Sequence, residues 1–415
     1  MMQKRLFALL AITVLVLGGG LWMSHRQSAT TDTQAANGAL VPNLAAKLNE
    51  VSAIKVTGAN AVVIADLKRA DNGWVVAGKS DYPADISRVR EFLIKLSEAK
   101  LREAKTAKPE NYARLGVEDL STADAKGAGV ELIGLGTPVH LIVGISSGGG
   151  SPGTFVRRQG EAASYLVNGD LVPEKEASNW LAKTILDLPS AQIRQVTITA
   201  PDASVLRIEK TDPNAFNYSV LDLPKNAKLS GESVANLLAG VLASLTLEDV
   251  VPASEILADA SAWTGVYMSY EGLVVESKLV DKNDKSFAQF AARVDDAQLD
   301  AWVVSEKAKA DAARATAQAQ IDAAAARPQA PTSGEGAPIV ASAADQAAAL
   351  PAPFDAEKSK SGKRAELQKQ ADEINARTAN WSYVIPSWKA INFKKRLADL
   401  LESKEAAGDK LPAAS

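Results

Sequence analysis

Few residues in this chain have the types and spacing that chemistry needs. Its 415 residues include no cysteine and two histidines, His25 and His140. Without thiols there is no disulfide, thiolate metal site, cysteine nucleophile or lipid-modified N-terminal cysteine. Two histidines do not make a multi-histidine metal centre. His140 stands in the alternating run "PVHLIVG", where a lone histidine reads as a strand residue, and no Ser-His-Asp triad is expected around it. "GLGTPV" opens like a dinucleotide fingerprint, but its sixth position is Val139 and no helix pattern follows. Gly148, Gly149, Gly150 and Gly153 make a glycine-rich loop between two strand patterns without the Lys-Ser/Thr ending of a phosphate loop. "DKNDKS", from Asp281, begins like a calcium loop. Lys285 and Ser286 stand where a ligand and a glycine belong, so it reads as a turn. Asp66, Asp85, Glu131 and Asp295 are carboxylates that a fold could pair for glycoside hydrolysis, with no spacing to favour any two. Arg157 and Arg158 adjoin on a strand, and Arg207 takes a similar place later. They read as a solvated sheet face. No catalytic, cofactor-binding or metal-ligating residue is assigned.

Composition sets the frame for these residues. The net charge of -3 argues against a nucleic-acid partner, and 47% hydrophobic with 23% charged residues describes a globular chain. At about 150 residues per domain, two or three folding units are expected. Lys4 and Arg5 precede the uncharged run Leu6 to Met23, 18 residues long. That length meets the lower limit for crossing a bilayer core of about 30 Å. With Trp22 near its end and no A-x-A site, residues 1–23 read as an uncleaved anchor, N-terminus cytoplasmic and body periplasmic. Release by cleavage at Gly18–Gly20 is the alternative. Residues 24–40 read as a flexible linker.

The body predicts an α+β fold of two tandem similar halves, each an antiparallel sheet with helices. Residues 41–189 form the first. An alternating pattern turns at Asp71-Asn72-Gly73, and a helix follows with Val89, Phe92, Leu93 and Leu96 on one face and Asp85 or Ser87 as cap. Strands "GVELIGLG", "VHLIVGIS", "GTFVRRQ" and "ASYLVN" come next, then a short helix from Asn179 to Leu186. Residues 190–295 with 381–403 repeat the order. Thr57 matches Thr199, Val63 matches Val205, and Tyr165 matches Tyr383, with a second helix in "LSGESVANLLAGVLASLTLEDV". Residues 296–380 interrupt the second half at a hairpin tip. They read as an Ala-rich helical hairpin, poor in large apolar residues, which packs weakly on the body and orders against a partner; a disordered, solvated low-complexity insertion is the alternative. Residues 404–415 read as a disordered tail.

The anchor, "NGWVV" before "YPAD" and an apolar helix, "YARLGV", "LIVGISS" with "GTFVRR", and "SYLVN" together resemble a bacterial family of membrane-anchored envelope proteins, domain of unknown function 4340. The resemblance covers residues 45–300 and resumes near Trp381; the Ala-rich insertion departs from it. It implies an envelope protein encoded, in some relatives, beside ABC-type transporters that include gliding-associated systems, and it supplies no catalytic residue. The expected function is therefore non-enzymatic: an accessory or scaffold subunit of an envelope complex, held in the inner membrane through residues 6–23, with an ABC-type transporter as partner. An envelope carbohydrate-binding or hydrolytic protein is the alternative.

Overall fold

The computed structural model describes residues 38–148, 152–257, 261–325 and 350–402. The expected anchor, most of the linker and the expected tail lie outside these residues. Among the described residues no helix is long and apolar enough to cross a membrane. The fold is α+β with antiparallel sheets, and the chain divides into two compact units, Met1–Ala182 and Lys183–Ser415.

In the first unit β1 (Gly38–Ala39), β2 (Ala53–Thr57), β3 (Val63–Ala70), β4 (Gly73–Val76) and β5 (Tyr82–Pro83) join β6 (Lys100–Ala104), β7 (Ala128–Ile133), β8 (Val139–Ser146), β9 (Gly153–Arg158) and β10 (Ser164–Asn168). They make one sheet in the order β1-β6-β10-β9-β8-β7-β2-β3-β4-β5. The β3–β4 hairpin turns through Asp71 and Asn72, and Gly73 at φ 130° takes the conformation that a side chain would resist. Helices α1 (Leu44–Lys47), α2 (Ile86–Glu98) and α3 (Tyr112–Leu115) pack on it. Asp85 caps α2, accepting from the Ser87 and Arg88 amides at 2.9 and 3.2 Å. Val89, Phe92, Leu93 and Leu96 are its buried face, and the Phe92 ring meets buried Trp180 edge-on at 5.5 Å. Trp180 ends a single helical turn, Ala177–Trp180. The helix expected on to Leu186 gives way, within the second unit, to strand β11 (Thr184–Leu186), which pairs there with β15 (Leu245–Thr246). β-branched Thr184 and Ile185 favour that outcome.

The second unit contributes β12 (Ile193–Thr199), β13 (Val205–Glu209), β14 (Ser219–Val220), β16 (Asp249–Pro252), β17 (Trp263–Ser269), β18 (Leu273–Lys282), β19 (Lys285–Val294) and β20 (Trp381–Val384), in the order β14-β13-β12-β17-β18-β19-β20-β16. Its helices are α4 (Asn236–Ala239), α5 (Asp296–Ala325), α6 (Ala356–Thr378) and α7 (Ser387–Phe393). Tyr267, Phe290, Tyr383 and Phe393 meet in its core with ring centres 6.1–6.3 Å apart.

The two sheets share strand order and register. In the first unit Tyr165 lies opposite Val156, Val156 opposite Val143, and Val143 opposite Ala128; the next residue, Gly129, faces Thr57, which faces Val63. In the second, Tyr383 lies opposite Ala288, Ala288 opposite Leu279, and Leu279 opposite Trp263; the next residue, Thr264, faces Thr199, which faces Val205. Identical steps connect the matched tyrosines to the matched threonines and valines. A one-residue slip anywhere would have turned these positions to opposite faces.

The helix expected within residues 229–250 is a correction. Only Asn236–Ala239 are helical, between turns. The Asn236 side chain ties this segment to the preceding loop, its oxygen accepting from Tyr218 N and its nitrogen donating to Phe216 O. The carbonyls of Gly240, Val241 and Ala243 accept from the buried Lys389 ammonium, at 3.4, 3.1 and 2.6 Å, and Ser244 turns the chain at φ 45°.

Residues between β19 and β20 form α5 and α6, where the first unit joins β9 to β10 by a short loop. The expectation that this hairpin packs weakly on the body is also corrected. β20 covers β19 only at Phe287 and Ala288. Beyond, α6 takes over the edge: Asn375 accepts from Ala292 N at 2.7 Å and donates to Ala292 O at 2.8 Å, while the Thr378 hydroxyl donates to Phe290 O. Leu299, Val303, Leu367 and Ala371 are buried.

The turn between β12 and β13 carries a pH-sensitive group. Asp202 accepts from the Ser204 hydroxyl at 2.7 Å and the Ser204 amide at 3.1 Å, and from Arg396. These bonds, the Ser204 hydroxyl foremost, hold its carboxyl down to about 2 from the usual 3.8. A depressed acid stabilises the fold above its unfolded value and loses that contribution as the pH falls from 3.8 towards 2. NMR titration is expected to place the Asp202 midpoint near 2; a midpoint at 3.8 would contradict these contacts.

Candidate functional site

Three residues singled out from sequence meet on one face of the first unit. β7, β8 and β9 are neighbours, and their register sets Glu131 opposite His140 and Ile142 opposite Arg157. The segment after β6 covers part of this face, with Tyr112 and Val117 packing on Ile142. Between segment and sheet lies an open cleft of about 1010 Å³ lined by Tyr112, Asp119, Glu131, His140 and Arg157.

Arg157 is buried and bonded through each of its three side-chain nitrogens. Its guanidinium donates to Val117 O at 2.8 Å, to Glu161 O at 3.2 Å and to the Asp119 carboxylate, and lies 4.5 Å from the Tyr112 ring centre. The Tyr112 hydroxyl donates to Ala162 O. An arginine bonded through all three nitrogens and already paired with a carboxylate pins a loop in place. His140 Nδ1 lies 4.0 Å from the Glu131 carboxylate. The expectation of no triad overlooks that Gly144-Ile145-Ser146-Ser147-Gly148 carries the G-x-S-x-G spacing. Here Ser146 ends a strand that enters a hairpin, without the strand-to-helix turn an elbow needs. It also sits six residues along the strand from His140, about 20 Å at strand rise, and binds Asp170 instead.

The remaining residues singled out from sequence are held elsewhere. Asp66 and Glu131 lie on either side of Lys55 in register, a charge row across the sheet. Asp85 caps α2, and Asp295 caps α5 by accepting from Gln298 N at 2.9 Å. The four carboxylates form no common site. Asn283 and Asp284, at φ 51° and 59°, make the two-residue β18–β19 turn, and Asp281 is bound by Ser286 and Lys394. Among the described residues no three His, Cys, Asp or Glu gather as a metal would need. Gly148 and Gly153 flank a hairpin loop whose Gly149 and Gly150 lie outside the described residues. Arg158 binds Leu40 O at 2.9 Å. Arg207 is exposed, pairs with Asp222, and takes the ladder place of Asp66, so its equivalence to Arg157 and Arg158 is corrected. Sequence gave no signal for this, because the match rested on charge alone.

The second feature is the α5–α6 hairpin. Its base is cross-linked by Asp296 to Arg364 at 2.9 Å and Asp300 to Lys360 at 2.5 Å, and farther out Arg314 donates to Pro351 O. Beyond Arg314, residues 315–323 are exposed except for half-buried Ala317 and Ile321. Beneath the base, the ends of β12 and the β17–β18 turn join both helices around a cleft of about 770 Å³.

No curated protein and no solved structure matches the chain. The sequence model of one family matches residues 74–261, which run from β4 of the first unit to the residues before β17 of the second. Those residues carry the helix, the strand series and the start of the repeat from which the resemblance was drawn, and over them the chain matches the family described as Domain of unknown function (DUF4340).

Proposed function

We propose that this is a non-enzymatic, membrane-anchored envelope protein that serves as an accessory or scaffold subunit, its partner an ABC-type transporter of the inner membrane. The two units are read as copies of one ancestral unit, which the shared strand order and register support. On this reading residues 6–23 hold the body beside the membrane and raise its effective concentration near a membrane partner. The observation that carries the proposal is the hairpin. Ion pairs fix its base, yet the far part of α5 is exposed nearly all round. Alanine propensity alone supports a helix there weakly, since helices draw most of their stability from packing. A rigidly mounted helix without an apolar stripe of its own suits a second surface.

The structure narrows the test. Removing all of residues 296–380 would strip the β19 edge, so only the far part is deleted, by joining Ala312 to Ala352 through a short glycine linker. Full-length and shortened proteins are purified in mild detergent and co-purifying chains identified by mass spectrometry. An ABC-type transporter subunit held by the full chain and lost from the shortened one is the expected result. Recovery of no such subunit, or equal recovery by both, would overturn the proposal.

A further inference from the structure

The cleft beneath the hairpin base has a chemistry of its own, independent of the partner reading above. Its ionised walls are paired off internally except for Asp212, whose carboxylate accepts from the Asn214 backbone amide at 2.9 Å and has no cation beside it among the described residues. Arg194 donates to Glu209 at 2.9 Å and to the Gln298 side-chain oxygen. Lys363 binds Glu271 at 3.2 Å and Glu366 at 2.9 Å, and Lys309 binds Glu306 at 2.7 Å. An anionic ligand would have to break one of these pairs. Apart from Asp212, the groups left over are neutral. The side-chain amides of Gln192 and Asn214 and the Trp302 indole N–H line the cleft, and none has a hydrogen-bond partner among the described residues. Trp302 is half-buried with the Lys363 ammonium 5.4 Å from its ring centre on one face, and Leu273 and Leu367 add apolar surface beside it.

We propose that this cleft binds a neutral saccharide. A sugar ring offers an apolar C–H face to an aromatic side chain and hydroxyls that both donate and accept, which side-chain amides match on both counts. The volume lies within the range of small-molecule sites, about 300–1,000 Å³. A phosphate-like anion finds no unpaired cation in these walls, and the one unpaired carboxylate among the described residues there, Asp212, can accept from sugar hydroxyls as it accepts from the Asn214 backbone amide. The signal was faint in sequence. Trp302 lies in an Ala-rich helix, and Gln192 and Asn214 lie in loops more than 80 residues away from it.

The test is isothermal titration of the full chain, in mild detergent, with chitotetraose and maltotetraose as probes and inorganic phosphate and spermidine as charged controls. Saturable binding of at least one tetrasaccharide is expected. Trp302→Ala and, separately, Asn214→Ala should each weaken it about tenfold, while Trp388→Ala, which removes an exposed tryptophan outside the cleft, leaves it unchanged. Circular dichroism checks that the variants fold, and Asn214, on a loop, serves if Trp302→Ala does not. The inference is overturned if neither tetrasaccharide binds, if a charged control binds in their place, or if binding survives the cleft substitutions or falls with Trp388→Ala.

Discussion

Arg157→Ala is expected to destabilise the first unit by about 3 kcal/mol, and Arg157→Gln by clearly less. The first figure follows from what the side chain holds. Its donors to Val117 O and Glu161 O are charge-assisted bonds from a buried group, and truncation leaves those carbonyls with one partner fewer beside a cavity. Contact with the Tyr112 ring is lost as well. The Asp119 pair adds little, because that carboxylate is largely exposed. The second figure follows from the shared register. Val156 and Ala288 occupy the same ladder place, so the residue after each, Arg157 and Gln289, does too. Gln289 donates to Ala253 O at 3.2 Å and Ile256 O at 2.8 Å, carbonyls of the segment that follows β16, just as Arg157 holds the segment that follows β6. One unit pins this segment with a glutamine, so the other should tolerate one. The measurement is denaturant unfolding, with amide exchange over residues 112–121 to assign the loss to the first unit. A loss under about 0.5 kcal/mol for alanine, or equal losses for both variants, would contradict this account.

Period-two patterns and turn residues made most of the sheet legible in sequence. Asp71-Asn72-Gly73 marked a hairpin, Asp85 a helix cap, and Thr57 with Thr199 and Tyr165 with Tyr383 marked places that the ladders later joined. Each of these signals is local, resting on the chain's own backbone preferences. What stayed illegible depends on partners distant in sequence. The apolar residues from Val234 to Leu247 recur like a helix, yet Lys389, almost 150 residues later, takes the carbonyls a helix would use. Arg157 looked like half of a basic surface because sequence shows a charge without showing whether it is spent. Its true counterpart, Gln289, shares no charge with it, only geometry. The same applies to α6. Leu367, Ala371 and Thr378 are its buried face, a stripe too weakly apolar to announce that it covers a strand edge.

Asn375 is where that covering can be broken with one atom. Its side chain acts as a short piece of strand: the oxygen accepts the Ala292 amide, the nitrogen donates to the Ala292 carbonyl, and β19 continues paired past the end of β20. Asn375→Ala is expected to cost the second unit about 2 kcal/mol, since both backbone groups of a buried residue lose their partner together. Asn375→Asp separates the two bonds. Its carboxylate still accepts from the amide but sets a second oxygen against the Ala292 carbonyl, so it should cost at least as much as alanine despite keeping the size of the side chain. Hydrogen exchange supplies the local reading. The Ala292 amide should exchange faster in both variants, and faster than Ala288, which β20 still covers. If Asn375→Asp were neutral, the donor bond would be carrying nothing; if Ala292 stayed protected in the alanine variant, α6 would be held on β19 by its apolar contacts alone. Loss of protection together with lowered stability would show that the hairpin closes the sheet before it offers a surface to anything else, so the domain and the surface it presents stand or fall together.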